Sequence, residues 1–564
     1  MIVLDKENRV FTLHTQNTTY QMKADENSVL LHTYYGPRVG GGDLSRLIQY
    51  ADRGFCPNPN QVGRRRDYSL DTLPQEYSTC GVGDFRLSSA QVEQPDGSRL
   101  LDLRYVSHEV RPGKYALEGL PAFHGEGGET LSVLLRDPSS SVEAELLYGV
   151  FEEYDLITRA VRIRNRGERP VRLAQAASLC LDLPPAGMDF ITFDGGHARE
   201  RGMHRAALRP GVQSVGSTRG TSSHQHNPFV MLCGRDAGED HGLCYGAALL
   251  YSGGFLAEAE LSQFGDIRLV LGLQPQGFSW LLGPGEAFTT PEAAMICSPN
   301  GFTPMTHRFH RAIRERLLRS PRGGLQRPVL INNWEATYFD FTAEKLLEIA
   351  EASAPLGIQL LVMDDGWFGR RNDDFGGLGD WNVNRGKLPG GLEALVPRVR
   401  GLGMRFGLWV EPEMVSEDSA LYREHPDWAL RAPGRPGARG RSQFVLDLSR
   451  AEVRDHLFAA LRSVLDSAEI AYVKWDMNRS FTDMWSAALP PDRQGEVPHR
   501  YILGLYELLE RLRRAYPALL IEGCSGGGGR FDLGMLYYTP QIWCSDNSDA
   551  IDRLRIQYGT SFCY

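Results

Sequence analysis

Short segments in which hydrophobic and polar residues alternate dominate the first half of the chain. Two examples are residues 28–35 (SVLLHTYY) and 156–164 (LITRAVRIR), and Gly, Pro, Asn and Asp separate such segments. Alternation with period two, at intervals of about 8–12 residues, is typical of antiparallel strands in a sandwich. Helical patterns of any length are nearly absent there. We therefore predict a large N-terminal β-sandwich domain, a β-supersandwich, over residues 1–304.

The pattern changes at residues 306–320, where hydrophobic residues recur at helical spacing among arginines. The pair Ser320-Pro321 ends this pattern. We predict a linker helix within residues 305–325. Its arginines are interpreted as a solvated helix face and not as a binding site.

After residue 326, apolar strand-like segments alternate with amphipathic helices. Six such strands are predicted within 329–334, 358–365, 405–411, 471–476, 519–524 and 541–546. Helices are predicted near 342–352, 391–402, 451–468, 501–516 and 550–558. This alternation indicates a parallel sheet in a (β/α)8-type (TIM) barrel. Because a closed barrel of this class has eight strands, we expect the domain at 326–564 to be C-terminally incomplete, truncated after about six βα units.

Composition and charge narrow the classes of function. The 564 residues include 61 Lys+Arg and 70 Asp+Glu, a net charge of −9, and a mildly acidic chain argues against nucleic-acid or membrane partners. The start lacks a signal-peptide pattern, and nine scattered cysteines without a C-x-x-C pair indicate reduced thiols, hence a cytoplasmic protein. Histidines and cysteines do not cluster at metal-ligand spacing, so no metal and no cofactor are expected.

Polar residues lie at the end of each predicted barrel strand. Active sites of such barrels lie at the carboxyl ends of the strands, so these side chains should converge on one mouth. A single carboxylate there could instead cap the following helix, but four successive strand ends with acids make capping a poor joint explanation. The strand-end residues are Trp334, Asp364, Asp365, Glu411, Glu413, Lys474, Asp476, Cys524 and Asp546.

Alternation along the fourth strand places Lys474 and Asp476 on the same face as Tyr472. Burial of two opposite charges costs several kcal/mol per ion, so their presence needs a reason. Lys474 should keep the Asp476 carboxylate ionised, which suits a nucleophile. Alternation on the sixth strand puts Asp546 at the same mouth.

Paired carboxylates beside tryptophans suggest glycoside hydrolysis. Glu522 and Asp549 are rival acids, although Asp549 could instead cap the last predicted helix. The glycine-rich segment 526–529 lacks the Lys-Ser/Thr of a P-loop, so it either lets backbone approach a ligand hydroxyl or forms a flexible turn. The tryptophans concerned, of which some should serve only packing, are Trp334, Trp367, Trp409 and Trp543.

Several stretches together resemble the bacterial α-galactosidases of glycoside hydrolase family 36. The resemblance covers effectively the whole chain, and its most specific strings are DDGWFGRR and KWDMNR. The matching stretches are SLDTLPQEY (69–77), NNWEATYFDF (332–341), LLVMDDGWFGRRNDD (360–374), GLWVEPEMV (407–415), YVKWDMNR (472–479), EGCSGGGGRFD (522–532) and WCSDNSDAIDRLRIQYGTS (543–561).

The resemblance implies a retaining exo-α-galactosidase acting on oligosaccharides such as melibiose and raffinose. By position, Asp476 is the implied nucleophile and Asp546 the implied acid/base, about 5–5.5 Å apart as retaining geometry requires. Asp364 and Asp365 match acids that hold the 4- and 6-hydroxyls of galactose. The other implied sugar contacts are Arg441, Lys474, Asn478, Cys524 and Gly526, with pocket walls at Trp334, Trp367 and Trp409.

The same resemblance implies a homotetramer in which a loop of the sandwich reaches a neighbour's active site. Asp52 and one arginine of 64–66, for which we choose Arg66, should lie on that loop. Family members usually continue beyond residue 564, through two further strands and a β-domain. Alternatives left open are transfer in place of hydrolysis, α-N-acetylgalactosaminidase activity on the same scaffold, or an inactive truncated fragment.

Overall fold

The computed structural model describes residues 1–319 and 327–564. Its first part is built from strands, and the helical turns that precede residue 302 there are 3₁₀ segments of three or four residues. The strands are β1 (Ile2–Asp5), β2 (Val10–His14), β3 (Thr18–Ala24), β4 (Leu30–Pro37), β5 (Ala90–Glu93), β6 (Arg104–Pro112), β7 (Glu129–Arg136), β8 (Val142–Phe151), β9 (Leu156–Asn165), β10 (Val171–Leu183), β11 (Met188–Asp194), β12 (Gly202–Ala207), β13 (Gly211–Gly216), β14 (Phe229–Gly234), β15 (Cys244–Leu249), β16 (Phe255–Leu261), β17 (Ile267–Leu273), β18 (Trp280–Leu282), β19 (Ala287–Thr289) and β20 (Ala293–Ser298).

These strands form three antiparallel sheets, which confirms the predicted N-terminal domain of sheets. One contains β1-β2-β3-β4, a second has the order β13-β16-β17-β10-β18 with β5 beside β10, and the largest runs β12-β11-β14-β15-β20-β9-β8-β7-β6 with β19 beside β9. Central strands such as β17 are buried along their whole length, whereas the edge strand β6 is largely exposed. This difference follows from which strands have both faces covered.

The predicted linker helix is α1 (Phe302–Arg316), four residues earlier than the helical pattern suggested. It begins after Gly301, whose φ of 90° a residue with a side chain rarely adopts. Phe302, Met305 and Phe309 are buried, so the helix packs on the sandwich and does not bridge through solvent. The end of the predicted linker, at residues 320–325, lies outside the described residues.

The rest of the chain alternates strands and helices around a curled parallel sheet of six strands, as predicted. The sheet order is β21-β22-β23-β26-β27-β28, and β24 and β25 pair as a separate hairpin. The strands are β21 (Leu330–Asn332), β22 (Leu360–Met363), β23 (Arg405–Val410), β24 (Met414–Ser416), β25 (Gln443–Val445), β26 (Tyr472–Trp475), β27 (Leu520–Gly523) and β28 (Gln541–Ile542). The helices are α2 (Trp334–Thr337), α3 (Ala343–Ser353), α4 (Gly391–Gly401), α5 (Ala420–Glu424), α6 (Ala451–Leu465), α7 (Val497–Ala515), α8 (Leu533–Tyr538) and α9 (Ala550–Cys563).

Side chains of the barrel strands separate into two layers. Leu360, Val362 and Tyr472 form a small cluster inside the curl of the sheet. Val473 and Trp475 instead join the main core. The predicted alternation along β26 is therefore confirmed.

Helix starts in this half follow local capping chemistry. The side chains of Thr342, Asp532 and Asp549 accept hydrogen bonds from backbone N–H groups in the first turns of α3, α8 and α9. Asp549, one of the rival acids, is therefore a helix cap. The described helices include none with the length and apolar character needed to cross a bilayer.

Candidate active site

Asp476 follows β26 directly, and its carboxylate accepts four hydrogen bonds. Oδ1 accepts from the backbone N–H of Met477 at 2.8 Å and of Gly526 at 3.1 Å. Oδ2 accepts from Asn478 Nδ2 at 2.8 Å and from the indole N–H of Trp409 at 3.0 Å. The glycine-rich segment thus supplies a backbone donor to this carboxylate and is more than a flexible turn.

Lys474 lies between two carboxylates at the barrel mouth. Its ammonium donates to Asp364 Oδ2 at 2.9 Å, and both side chains are largely buried. Burial opposes its charge, but Asp364 and Asp476 together raise the pKa of Lys474 well above its usual range. Burial alone would raise the pKa of Asp476, yet Lys474 and the hydrogen-bond donors hold it below that of an ordinary aspartic acid. Asp476 is therefore an ionised carboxylate at neutral pH.

Asp546 lies on the loop that follows β28 and is more exposed than Asp476. Its Oδ1 accepts from the indole N–H of Trp543 at 3.0 Å. Its Oδ2 lies 2.9 Å from Nε2 of His197, a residue of the sandwich loop between β11 and β12. The Asp476 carboxylate is thus surrounded by fixed hydrogen-bond donors, whereas the Asp546 carboxylate is open to solvent.

A cavity of about 470 Å³ lies between the sandwich and the barrel mouth. Of the predicted site residues, it is lined by Arg441, Asn478, Gly526 and Asp546. Asp476 is hydrogen-bonded to two of these lining residues, so both carboxylates belong to one site. The sandwich contributes His197, Arg219, Thr221, Ser223 and His224, which the sequence analysis did not identify.

Asp365 is held by an internal ion pair. Arg371 donates to both of its carboxylate oxygens, at 3.0 Å and 2.9 Å, and both side chains are buried. Burial raises the pKa of Asp365 to about 6, although the guanidinium acts in the opposite direction.

The predicted wall tryptophans differ in exposure. Trp367 is fully buried, and its indole N–H donates to the carbonyl oxygen of Trp409 at 2.9 Å. Trp334 begins α2, is partly exposed, and meets Phe339 edge-on at 5.1 Å between ring centroids. In this structure Trp367 therefore supports the wall from behind, whereas Trp334 retains an accessible face.

Two further predicted contacts lie beside these groups. Cys524 is buried, and burial together with the charge of Asp476 raises the pKa of its thiol well above the usual range. Arg441 donates to Asp374 at 2.9 Å and has a φ of 51°.

Asp52 and Arg66 do not line the cavity described above. Arg66 Nε lies 3.3 Å from Asp52 Oδ2, and their side chains are 67% and 47% exposed, respectively. Their placement at a neighbour's site stays a prediction.

Glu411 is a buried acid at the end of β23 to which the sequence analysis gave no role. It accepts from the backbone N–H of Asn478 at 2.5 Å and from Gln443 Nε2 at 3.1 Å. Burial, reinforced by the charge of Asp476, raises the pKa of Glu411 to about 8. The rival acid Glu522 lies deeper in the barrel, where it accepts from Gln541 at 2.7 Å and where burial raises its pKa.

In the described part of the chain, no group of three or more His, Cys, Asp or Glu side chains is arranged to hold a metal ion.

Comparison with known proteins shows similarity along the whole chain. Residues 28–283 match the model of the glycosyl hydrolase family 36 N-terminal domain, and residues 287–564 match the Melibiase model. The bifunctional alpha-galactosidase/sucrose kinase AgaSK of Mediterraneibacter gnavus is 50% identical over 100% of this chain, which spans 60% of that protein. Alpha-galactosidase AgaA of Geobacillus stearothermophilus is 48% identical over 100% of this chain and 77% of its own length.

A solved structure of an AgaA variant from Geobacillus stearothermophilus in complex with raffinose superposes with a TM-score of 0.97. The two sequences are 48% identical, and the match covers 98% of this chain and 77% of the AgaA variant.

Proposed function

The chain belongs to glycoside hydrolase family 36, and we propose that it is a retaining exo-α-galactosidase. Its proposed substrates are oligosaccharides with terminal α-D-galactosyl residues, such as melibiose and raffinose. The observation that carries the proposal is the contrast between two carboxylates of one site. Asp476 is ionised and held by four donors, whereas Asp546 is partly exposed on the cavity wall.

Asp476 is the proposed nucleophile. In the first step its carboxylate oxygen bonds to the anomeric carbon as the glycosidic bond breaks, and Asp546 gives a proton to the departing oxygen. In the second step Asp546 takes a proton from water, whose oxygen displaces Asp476 from the anomeric carbon. Two inversions return the original anomeric configuration. The low pKa of Asp476 suits its part because a nucleophile must remain unprotonated.

The galactosyl ring is proposed to bind at the barrel mouth beside Lys474. Asp364 and Asp365 would accept hydrogen bonds from its 4- and 6-hydroxyls. Lys474 holds Asp364 in place and Arg371 holds Asp365, and these fixed positions support the assignment. The remaining proposed sugar contacts are Trp334, Trp409, Arg441, Asn478, Cys524 and Gly526, and the fully buried Trp367 is proposed to support the pocket wall from behind.

α-N-Acetylgalactosaminidase or transferase activity is not favoured. The relatives named above are α-galactosidases, and a variant of one of them has been solved with raffinose.

We further propose a cytoplasmic homotetramer in which Asp52 and Arg66 reach a neighbour's site. Their exposure, away from the cavity of their own chain, supports that arrangement. The cysteines, none of which is paired in the described part of the chain, agree with a reducing compartment.

The anomeric form of the first product tests the proposal. Proton NMR during hydrolysis of p-nitrophenyl α-galactoside should show α-galactose first, with the β-anomer growing only as mutarotation proceeds. Early release of β-galactose would contradict a double displacement. An absence of hydrolysis of p-nitrophenyl α-galactoside and raffinose would contradict the activity itself.

A further inference from the structure

We propose that His197 of the N-terminal domain is a positioning residue for Asp546, so that the sandwich completes the acid/base half of the site. This inference rests on the proposed function, in which Asp546 is the acid/base. Its starting point is the 2.9 Å contact between His197 Nε2 and Asp546 Oδ2, which joins residues 349 positions apart.

The sandwich loop that carries His197, residues 195–201, is docked onto the segment around Asp546. Arg201 donates to the carbonyl oxygens of Gly528 and Cys544, and it is buried there. Asn547 Nδ2 donates to the carbonyl oxygen of Ala198 at 2.9 Å. The loop thus contacts the chain two residues before Asp546 and one residue after it, which fixes the distance between His197 and the carboxylate.

The backbone of this loop indicates that its shape is imposed by these contacts. Ala198 and Arg201 have φ values of 61° and 53°, in the left-handed region that residues with side chains rarely adopt. The side chain of His197 is 62% exposed, so hydrophobic burial does not explain its position. The imidazole also meets the ring of His224 edge-on, at 5.6 Å between ring centroids. A strained, docked loop that presents an exposed imidazole to the Asp546 carboxylate suits a functional contact.

The chemistry of the acid step explains what this contact contributes. When Asp546 gives its proton to the departing sugar oxygen, its O–H bond breaks and negative charge develops on the carboxylate. With Nε2 protonated, His197 donates to Oδ2 while Trp543 donates to Oδ1, and hydrogen bonds to an ionised acceptor are the stronger ones. Both donors therefore stabilise the carboxylate as it forms, and they also fix its orientation.

A comparison of leaving groups tests this role. A sugar leaving group needs protonation, whereas p-nitrophenolate leaves without it, so kcat/KM for the two substrates separates acid catalysis from binding of the galactosyl ring. His197→Ala should lower kcat/KM for raffinose by about 10-fold or more and that for p-nitrophenyl α-galactoside by much less. His197→Gln, whose amide N–H replaces Nε2–H, should restore part of the loss. His204→Gln, at an exposed position on β12, is the matched control and should leave both values unchanged.

Equal losses on both substrates would overturn the proposal, because they would show a general disturbance of the pocket. Unchanged kcat/KM for raffinose in His197→Ala would overturn it as well. A thermal melt of each variant separates these results from unfolding. If His197→Ala does not fold, the same comparison is made with His197→Gln and His197→Asn. Of these two variants, only His197→Gln should retain activity on raffinose. A wild-type chain inactive on both substrates would overturn the proposed function, and this inference with it.

Discussion

The indole N–H of Trp409, at the end of the third barrel strand, donates a 3.0 Å hydrogen bond to Oδ2 of Asp476, at the end of the fourth. The parallel register of β23 and β26 makes this possible, since Trp409 pairs with Lys474 two residues before Asp476. This bond is one of the interactions that lower the pKa of Asp476.

Trp409→Phe removes that donor and retains an aromatic ring. The pKa of Asp476 should rise, so the acidic limb of the kcat/KM–pH profile should move to higher pH by about one unit. Trp475→Phe is the control, because the indole N–H that it removes lies on the opposite face of the strand and donates a hydrogen bond to Glu413 at 2.8 Å. This variant should leave the acidic limb in place. A shift of the same size in both variants would contradict the assignment of the limb to Asp476.

Lys474→Met removes the buried cation between Asp364 and Asp476. We expect destabilisation by about 3–5 kcal/mol and an acidic limb displaced further upward than in Trp409→Phe, because the Lys474 charge lowers the pKa of Asp476 more than any hydrogen bond does. Melting curves and pH–rate profiles measure the two effects.

Lys114→Met is the matched control for this change. Lys114 and Glu292 form a buried ion pair of 2.5 Å inside the sandwich, so its loss should destabilise the fold while leaving the acidic limb unchanged. If Lys114→Met moved the limb as far as Lys474→Met, the effect would belong to stability and not to the site.

Glu411→Gln should flatten the dependence of stability on pH. Burial raises the pKa of Glu411 to about 8, against about 4.3 in an unfolded chain. The stability contributed by the protonated form is fully present below about pH 4.3 and is lost as pH rises through about 8. Tm should therefore fall between pH 5 and pH 8 more steeply in the wild type than in the variant, whose amide cannot ionise. If Tm fell with pH equally steeply in the wild type and in Glu411→Gln, Glu411 would already be ionised in the folded protein.

Gly527→Ala tests whether the glycine-rich segment holds the site together. Gly527 has a φ of 77°, and a Cβ there would lie 2.7 Å from the backbone nitrogen of Asp546. We expect about 1–3 kcal/mol of destabilisation and reduced kcat/KM for raffinose. Gly277 has a φ of 78° with open space around its Cβ position, so Gly277→Ala carries the backbone strain without the clash and should retain activity. Full activity in Gly527→Ala would contradict a close fit at this segment.

Features set by local patterns could be predicted from the sequence. Six parallel strands, the alternation that separates Lys474 from Trp475, and the alternative interpretation of Asp549 as a helix cap each depend on residues near one another in the chain. The helix ends were predicted less accurately, since α7 begins at Val497, four residues before the predicted start. Its first turn contains Pro498, which suits that position but interrupts the hydrophobic period.

Features that arise from contacts between distant segments could not be predicted. His197 follows Gly195-Gly196 in a segment with no catalytic pattern, and only the docking of Arg201 on the barrel brings it to Asp546. The raised pKa of Glu411 depends on complete burial beside Asp476, which the strand-end position alone does not reveal. Periodicity indicates which face a side chain occupies, but not which groups from other elements meet it.

The residue that becomes covalently attached to the sugar identifies the nucleophile. The wild-type enzyme is incubated with 5-fluoro-α-galactosyl fluoride, which slows hydrolysis of the glycosyl-enzyme, and the adduct is located by peptide mass spectrometry after digestion at low pH. One 5-fluorogalactosyl adduct is expected, on Asp476. An adduct on Asp546, Glu411 or Glu522 would contradict this assignment.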